Sequence, residues 1–109
     1  MQLQTDKKGT TLVVRLMGSL SEFGVAEQFH EIVSKQLGPD IKHLVYNFNE
    51  ASLPDSRFIG RMVEIYKNRH DQIKVHVLCD RNEDVKELLL ICGMKNILTF
   101  LSAENQIPG

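Results

Sequence analysis

The feature that most restricts the fold lies between residues 41 and 69, where the hydrophobic period changes from two residues to about 3.6. From Ile41 to Asn49, Leu44, Tyr46 and Phe48 alternate with Val45 and Asn47, the pattern of a buried central strand. From Arg57 to Arg69, Phe58, Ile59, Met62, Val63, Ile65 and Tyr66 fall in one helical arc, with Arg57, Arg61, Glu64 and Asn68 opposite. Ser52-Leu53-Pro54-Asp55-Ser56 joins the two. A strand feeding an amphipathic helix must bury both apolar faces together, which calls for further strands beside the first.

The rest of the chain supplies them. Leu3–Thr5 and Thr11–Met17 predict two strands around the polar turn Asp6-Lys7-Lys8-Gly9-Thr10, an antiparallel hairpin. Glu22–Leu37 predicts a helix whose apolar face holds Val25, Ala26, Phe29, Ile32 and Val33, with Ser21 as cap and Gly38-Pro39 as stop. Ile73–Cys79 predicts a Val-rich strand and Asp80-Arg81-Asn82 a turn and cap. A helix through Val85, Leu88, Leu89 and Cys92 then ends at Gly93. Asn96–Leu101 predicts a short last strand, and Ser102–Gly109 a polar, fraying tail. The order ββαβαβαβ predicts an α/β fold. Its small mixed sheet is largely parallel, with an N-terminal antiparallel hairpin and helices packed against it, in a single domain over 1–109.

Composition removes several function classes. Thirteen basic against fourteen acidic residues give a net charge of −1, without the positive field that nucleic acid or a membrane surface requires. No apolar stretch approaches the roughly 18 residues of a membrane span, and no leader pattern opens the chain, so a cytoplasmic protein without direct membrane insertion is expected. Cys79 and Cys92 form no CxxC pair and sit in apolar contexts, predicting two buried thiols. His30, His43, His70 and His76 have no metal-ligand spacing and predict surface positions; Glu27 and His30 form one i, i+3 pair without a second. Neither a GxGxxG nor a GxxxxGK[ST] loop occurs, so no nucleotide, metal or other cofactor is implied.

In sheets of this type, ligands and partners gather where loops leave the carboxyl ends of strands. The Ser52–Ser56 loop is one such place, and Gly18–Ser21 is another. Asp55 and Ser56 are both helix-capping types, and the terminus they open carries partial positive charge that suits a phosphate or carboxylate. Arg57 is out of place there, since a cation in the first turn opposes the helix dipole by about 0.3–1 kcal/mol. A catalytic Ser56 would need a base and an oxyanion site, and Asp55 beside it in sequence supplies neither.

Three segments resemble the STAS domain family, as in bacterial anti-sigma factor antagonists. They are Val14-Arg15-Leu16-Met17-Gly18-Ser19-Leu20, Leu53-Pro54-Asp55-Ser56-Arg57-Phe58-Ile59-Gly60 and Leu88-Leu89-Leu90-Ile91-Cys92-Gly93-Met94. The resemblance runs from about residue 3 to residue 101. It implies a non-enzymatic, protein-binding regulator with no catalytic residue and no cofactor. In that family the module binds an anti-sigma factor that is also a serine kinase. Phosphorylation in an Asp-Ser-Ser-Gly-type loop breaks the complex, because roughly −1.5 to −2 charges enter a docking surface. A phosphatase restores it.

This chain departs from the pattern where the switch sits. The usual phosphoacceptor aligns with Arg57, the following Gly with Phe58, and an acidic position after the first helix-entering Gly-x-Leu with Ser21. Ser56 alone remains as a phosphorylation candidate. The resemblance makes Ser21, Glu22, Asp55, Ser56, Arg57 and Arg61 the partner-binding set, with Arg57 and Arg61 facing an acidic surface if the partner has changed. The expected state is a monomer or weak dimer. Stand-alone members also resemble accessory subunits of ABC transporters, and a signalling scaffold is a third role of the same class.

Overall fold

A computed structural model describes residues 1–108. Eight main elements follow in order: β1 (Gln2–Lys8), β2 (Thr11–Gly18), α1 (Val25–Gln36), β3 (His43–Ala51), α2 (Ser56–Arg69), β4 (Lys74–Leu78), α3 (Glu83–Ile91) and β5 (Thr99–Leu101). Single 3-10 turns occupy Met94–Asn96 and Glu104–Gln106. The strands form one sheet in the order β1-β2-β3-β4-β5, β1 antiparallel to β2 and every later pair parallel. The mixed sheet with an antiparallel N-terminal hairpin is therefore the fold this chain adopts.

Each parallel step moves one strand in the same direction, so right-handed crossovers place all three helices on one face. That face carries Leu12, Val14 and Leu16 of β2, Leu44, Tyr46 and Phe48 of β3, and Val75 and Val77 of β4, all buried. An aromatic knot sits at its centre. Phe29 of α1 stacks on Phe58 of α2 at 4.2 Å between ring centroids, and Tyr46 lies 5.5 Å from Phe29. Each such ring contributes about 1.5–3 kcal/mol by leaving water. Val45 and Leu78 are buried too, but they point to the other face of the sheet.

Several expectations are corrected. The first helix starts at Val25, not Glu22, and Ser21 does not cap it; Gly24 occupies the cap position at φ 83°, a left-handed conformation that favours glycine. Glu22 to Val25 instead makes a turn, closed by the Val25 N–H on the Glu22 carbonyl at 3.2 Å. The β2–β3 register shifts between Arg15 and Met17, a β-bulge, and β3 runs on to Ala51, beyond the expected end at Asn49. Left-handed Gly93 diverts the chain into a 3-10 turn, so the last strand begins at Thr99 rather than Asn96.

In the tail the Ser102 N–H donates to the Gln106 side-chain carbonyl, and Ile107 and Pro108 are half-buried, while Gly109 lies outside the described residues. Cys92 is exposed, because Gly93 ends the helix before its face closes; Cys79 alone is buried. His76 is only 6% exposed and is not a surface residue, since β4 is central and places it against His43 of β3.

Candidate functional site

Because β2 to β5 run parallel, the loops after β2, β3 and β4 emerge at one end of the sheet. Two of them are tied together. The Ser52 N–H donates to the Gly18 carbonyl at 2.9 Å, and the Leu20 N–H to the Ser52 hydroxyl at 3.2 Å. The third is fixed by Asn82, whose amide donates to the Phe48 and Ala51 carbonyls at 2.7 and 2.9 Å. Its side-chain oxygen also accepts from the Val85 N–H, capping α3 as the sequence predicts. This end of the molecule is thus a braced platform, suited to presenting side chains without paying for their ordering on binding.

On that platform Asp55 is the cap of α2. Its Oδ1 accepts from the Phe58 N–H at 2.9 Å, and its backbone is extended. Ser56 is the first helical residue instead of a cap, with its side chain in solvent. Arg57 folds back over the cap: Nη2 and Nε reach Asp55 Oδ2 at 2.9 and 3.2 Å, and Nη2 reaches the Ser21 carbonyl at 3.5 Å. The misfit between Arg57 and the helix dipole is resolved this way. The Asp55 carboxylate lies between the amide terminus and the guanidinium, and both favour its charge. The Phe58 N–H, with a smaller contribution from Arg57, accordingly holds the Asp55 carboxyl below the usual carboxylate range against the opposing cost of burial.

Arg61 is also engaged, with Nη1 3.0 Å from Glu64 Oε2 and Nη2 3.9 Å from Glu27 Oε1 of α1. The structure therefore gathers Ser21, Asp55 and Arg57 through direct contacts, with Ser56 beside them. Arg61 stands one turn along α2, where it bridges to α1. Glu22 lies in the same β2–α1 loop as Ser21, exposed and with no ion pair among the described residues.

Two residues that the sequence reasoning passed over belong to this surface. Phe23 is 94% exposed and Leu53 48%, one in each of the loops that flank the Asp55–Arg57 pair. The available signal was an apolar residue between Glu22 and Gly24 that fits no helical face.

Elsewhere the surface offers little that competes. A cleft of about 890 Å3 lies at the other face of the sheet, between β1–β3 and the final turn; it reaches Arg81 of the β4–α3 loop but none of Ser21, Glu22, Asp55, Ser56, Arg57 and Arg61. Gln4, Asp6, Asn47 and Glu104 line it, and its Arg15 is already paired with Glu50. Among the described residues no three His, Cys, Asp or Glu side chains gather as metal ligands, and no helix is long and apolar enough to cross a membrane.

Comparison with known proteins agrees with this fold. The family model for the STAS domain matches residues 2–106. Among solved structures, the anti-sigma factor antagonist SpoIIAA in its unphosphorylated form is similar at 18% identity and a TM-score of 0.76, covering 95% of this chain and 91% of that one. An anti-sigma factor antagonist from Mycobacterium paratuberculosis is similar at 13% identity and a TM-score of 0.77, covering 95% and 87%. The phosphorylated form of SpoIIAA from Bacillus is similar at 20% identity and a TM-score of 0.64, covering 95% of each chain.

Proposed function

The chain belongs to the STAS domain family, and from that premise we propose that it is a non-enzymatic, cytoplasmic antagonist of a serine-kinase-type anti-sigma factor. It binds that partner through the platform formed by Ser21, Glu22, Asp55, Ser56, Arg57 and Arg61. The observation that carries the reading is the braced pair of loops at the start of α2, with Ser56 exposed at the first helical position. The antagonist neighbours support the choice of partner class by analogy of fold.

Arg57 stands where the family carries its phosphoacceptor, and it has no hydroxyl to modify. The complex would then persist in the presence of the kinase and ATP, needing no phosphatase to reset it. Purified chain is expected to bind the kinase-type anti-sigma factor encoded in the same genome. With radiolabelled ATP, wild type and Ser56→Ala are expected to remain unlabelled, and Arg57→Ser to acquire label. Absence of binding would refute the antagonist reading, while label on wild type that disappears in Ser56→Ala would refute kinase insensitivity and make Ser56 the acceptor.

One observation favours a second reading. Arg57 braces two loops, as suits a subunit that docks once and stays. Recovery of an ABC permease and its ATPase with the chain from its source cells, in place of an anti-sigma factor, would make it an accessory subunit.

A further inference from the structure

The platform has a chemical character that its two arginines disguise. Both guanidinium groups are engaged within the chain, Arg57 by Asp55 and Arg61 by Glu64 and Glu27. Four carboxylates, Glu22, Glu27, Asp55 and Glu64, stand against those two cations, so this cluster carries an excess of negative charge. Glu22 is the carboxylate left without a counter-ion. Next to it stands Phe23, with almost its whole ring in water.

An aromatic ring held in solvent is unfavourable for the free chain, and nothing in the packing of α1 requires it there. Gly24, not Phe23, is the helix cap, and the buried face of α1 begins at Val25. Rigid aromatic side chains at the centre of a charged rim are the usual dominant anchors of protein interfaces. The loop bearing this one is tied to its neighbour by the Gly18–Ser52 and Leu20–Ser52 hydrogen bonds.

We infer that Phe23 is the anchor of this surface, entering an apolar pocket on a protein partner whose rim is basic, with Glu22 meeting that rim and Leu53 extending the apolar contact. The inference rests on the proposal that this end of the sheet is the docking surface, but not on which protein docks there. It also reverses the expectation that Arg57 and Arg61 face an acidic partner. Their charges are satisfied at home, and an acidic surface would meet Glu22 and Glu27 first.

Photo-crosslinking separates these possibilities. The full chain carrying p-benzoylphenylalanine in place of Phe23 is expressed in its source cells, with the same replacement at Ile91, 75% exposed at the end of α3, as control. Crosslinking from position 23 and not from 91, to a partner peptide of net positive charge, is the expected result. The captured partner, once purified, is expected to bind Phe23→Ala more than about tenfold more weakly than wild type. Glu22→Lys is expected to weaken binding most at low salt. Phe23→Ala is expected to melt with wild type, because so exposed a ring supports no core.

Capture at 91 alone, capture at neither position, an acidic partner peptide, or a loss below about threefold for Phe23→Ala would each overturn the inference. Should the captured partner be a transporter ATPase and no kinase, the anchor would stand and the anti-sigma reading would fall.

Discussion

Replacing Tyr46 by Phe removes a single oxygen from the centre of the core, and the structure predicts that the protein becomes more stable. Tyr46 is fully buried, with its ring between Phe29 and Phe48, and its hydroxyl has no hydrogen-bond partner among the described residues. Burial pushes its pKa far up, so the group is a neutral phenol at any working pH. A buried hydroxyl without a partner costs about 1–3 kcal/mol relative to one in water. Deleting it leaves a void of roughly 10–15 Å3, which at about 24 cal/mol per Å3 costs only about 0.3 kcal/mol. The orphaned oxygen therefore outweighs the lost packing, and a net gain of about 0.7–2.7 kcal/mol remains. For a chain of this size that is a rise in Tm of roughly 3–12 °C. Thermal unfolding of wild type and Tyr46→Phe followed by circular dichroism at pH 7 measures it directly. An unchanged or lower Tm would refute the reasoning, by showing that the hydroxyl has a partner in solution such as a buried water.

Phe58→Ala is expected to cost about 3–5 kcal/mol by breaking the stack on Phe29, and Phe58→Gly up to about 1 kcal/mol more. The exposed Arg57→Ser is expected to cost under about 1 kcal/mol, so the urea midpoint should be highest for Arg57→Ser, lower for Phe58→Ala and lowest for Phe58→Gly. Asp55→Ala is expected to lose about 0.5–2 kcal/mol of capping, read from the same curves. Because the folded pKa of Asp55 is lowered, its contribution is present above about pH 3.9 and is lost as pH falls through the folded value; Asp55→Asn should flatten that acid limb. His76 is buried with Nε2 3.1 Å from His43 Nδ1 and no partner for Nδ1, and burial, then His43 and Lys74, lower its pKa. Stability tied to its neutral form is therefore full above about pH 6.5 and declines as pH falls through the folded value. Urea midpoints between pH 7.5 and 5 should show less decline in His76→Gln than in wild type, and equal slopes would refute the assignment.

The fold was legible because period and punctuation agree along most of the chain. The arc through Phe58, Met62 and Ile65 is the buried face of α2, and Gly38-Pro39 and Gly93 end helices where the pattern says they should. Asp55 and Asn82 were legible as caps for the same local reason. What the sequence hid was decided by neighbours distant along the chain. Ser21 looks like a cap until a left-handed Gly24 takes the position, and it contributes a backbone carbonyl to Arg57 instead. His76 has the polarity of a surface residue, but strand order puts it inside. No periodicity marks Phe23, because an anchor is defined by the absence of neighbours that would explain it.

The same division between local and distant causes separates positions 57 and 58, which the proposed function compares with the family's phosphorylation loop. Arg57→Ser and Phe58→Gly together would give the loop the family's residue types, but the two positions carry unlike weight. Arg57 lies on the surface and holds two loops through an exposed ion pair and one long hydrogen bond, so it can be exchanged at small cost. Phe58 fills the space between α1 and β3, and Phe29, Tyr46 and Phe48 are arranged around it. A glycine there would empty the knot and loosen the first turn of the helix that presents Ser56. Position 57 is therefore free to vary while the core fixes 58, so the proposed phosphorylation test uses Arg57→Ser and leaves Phe58 in place.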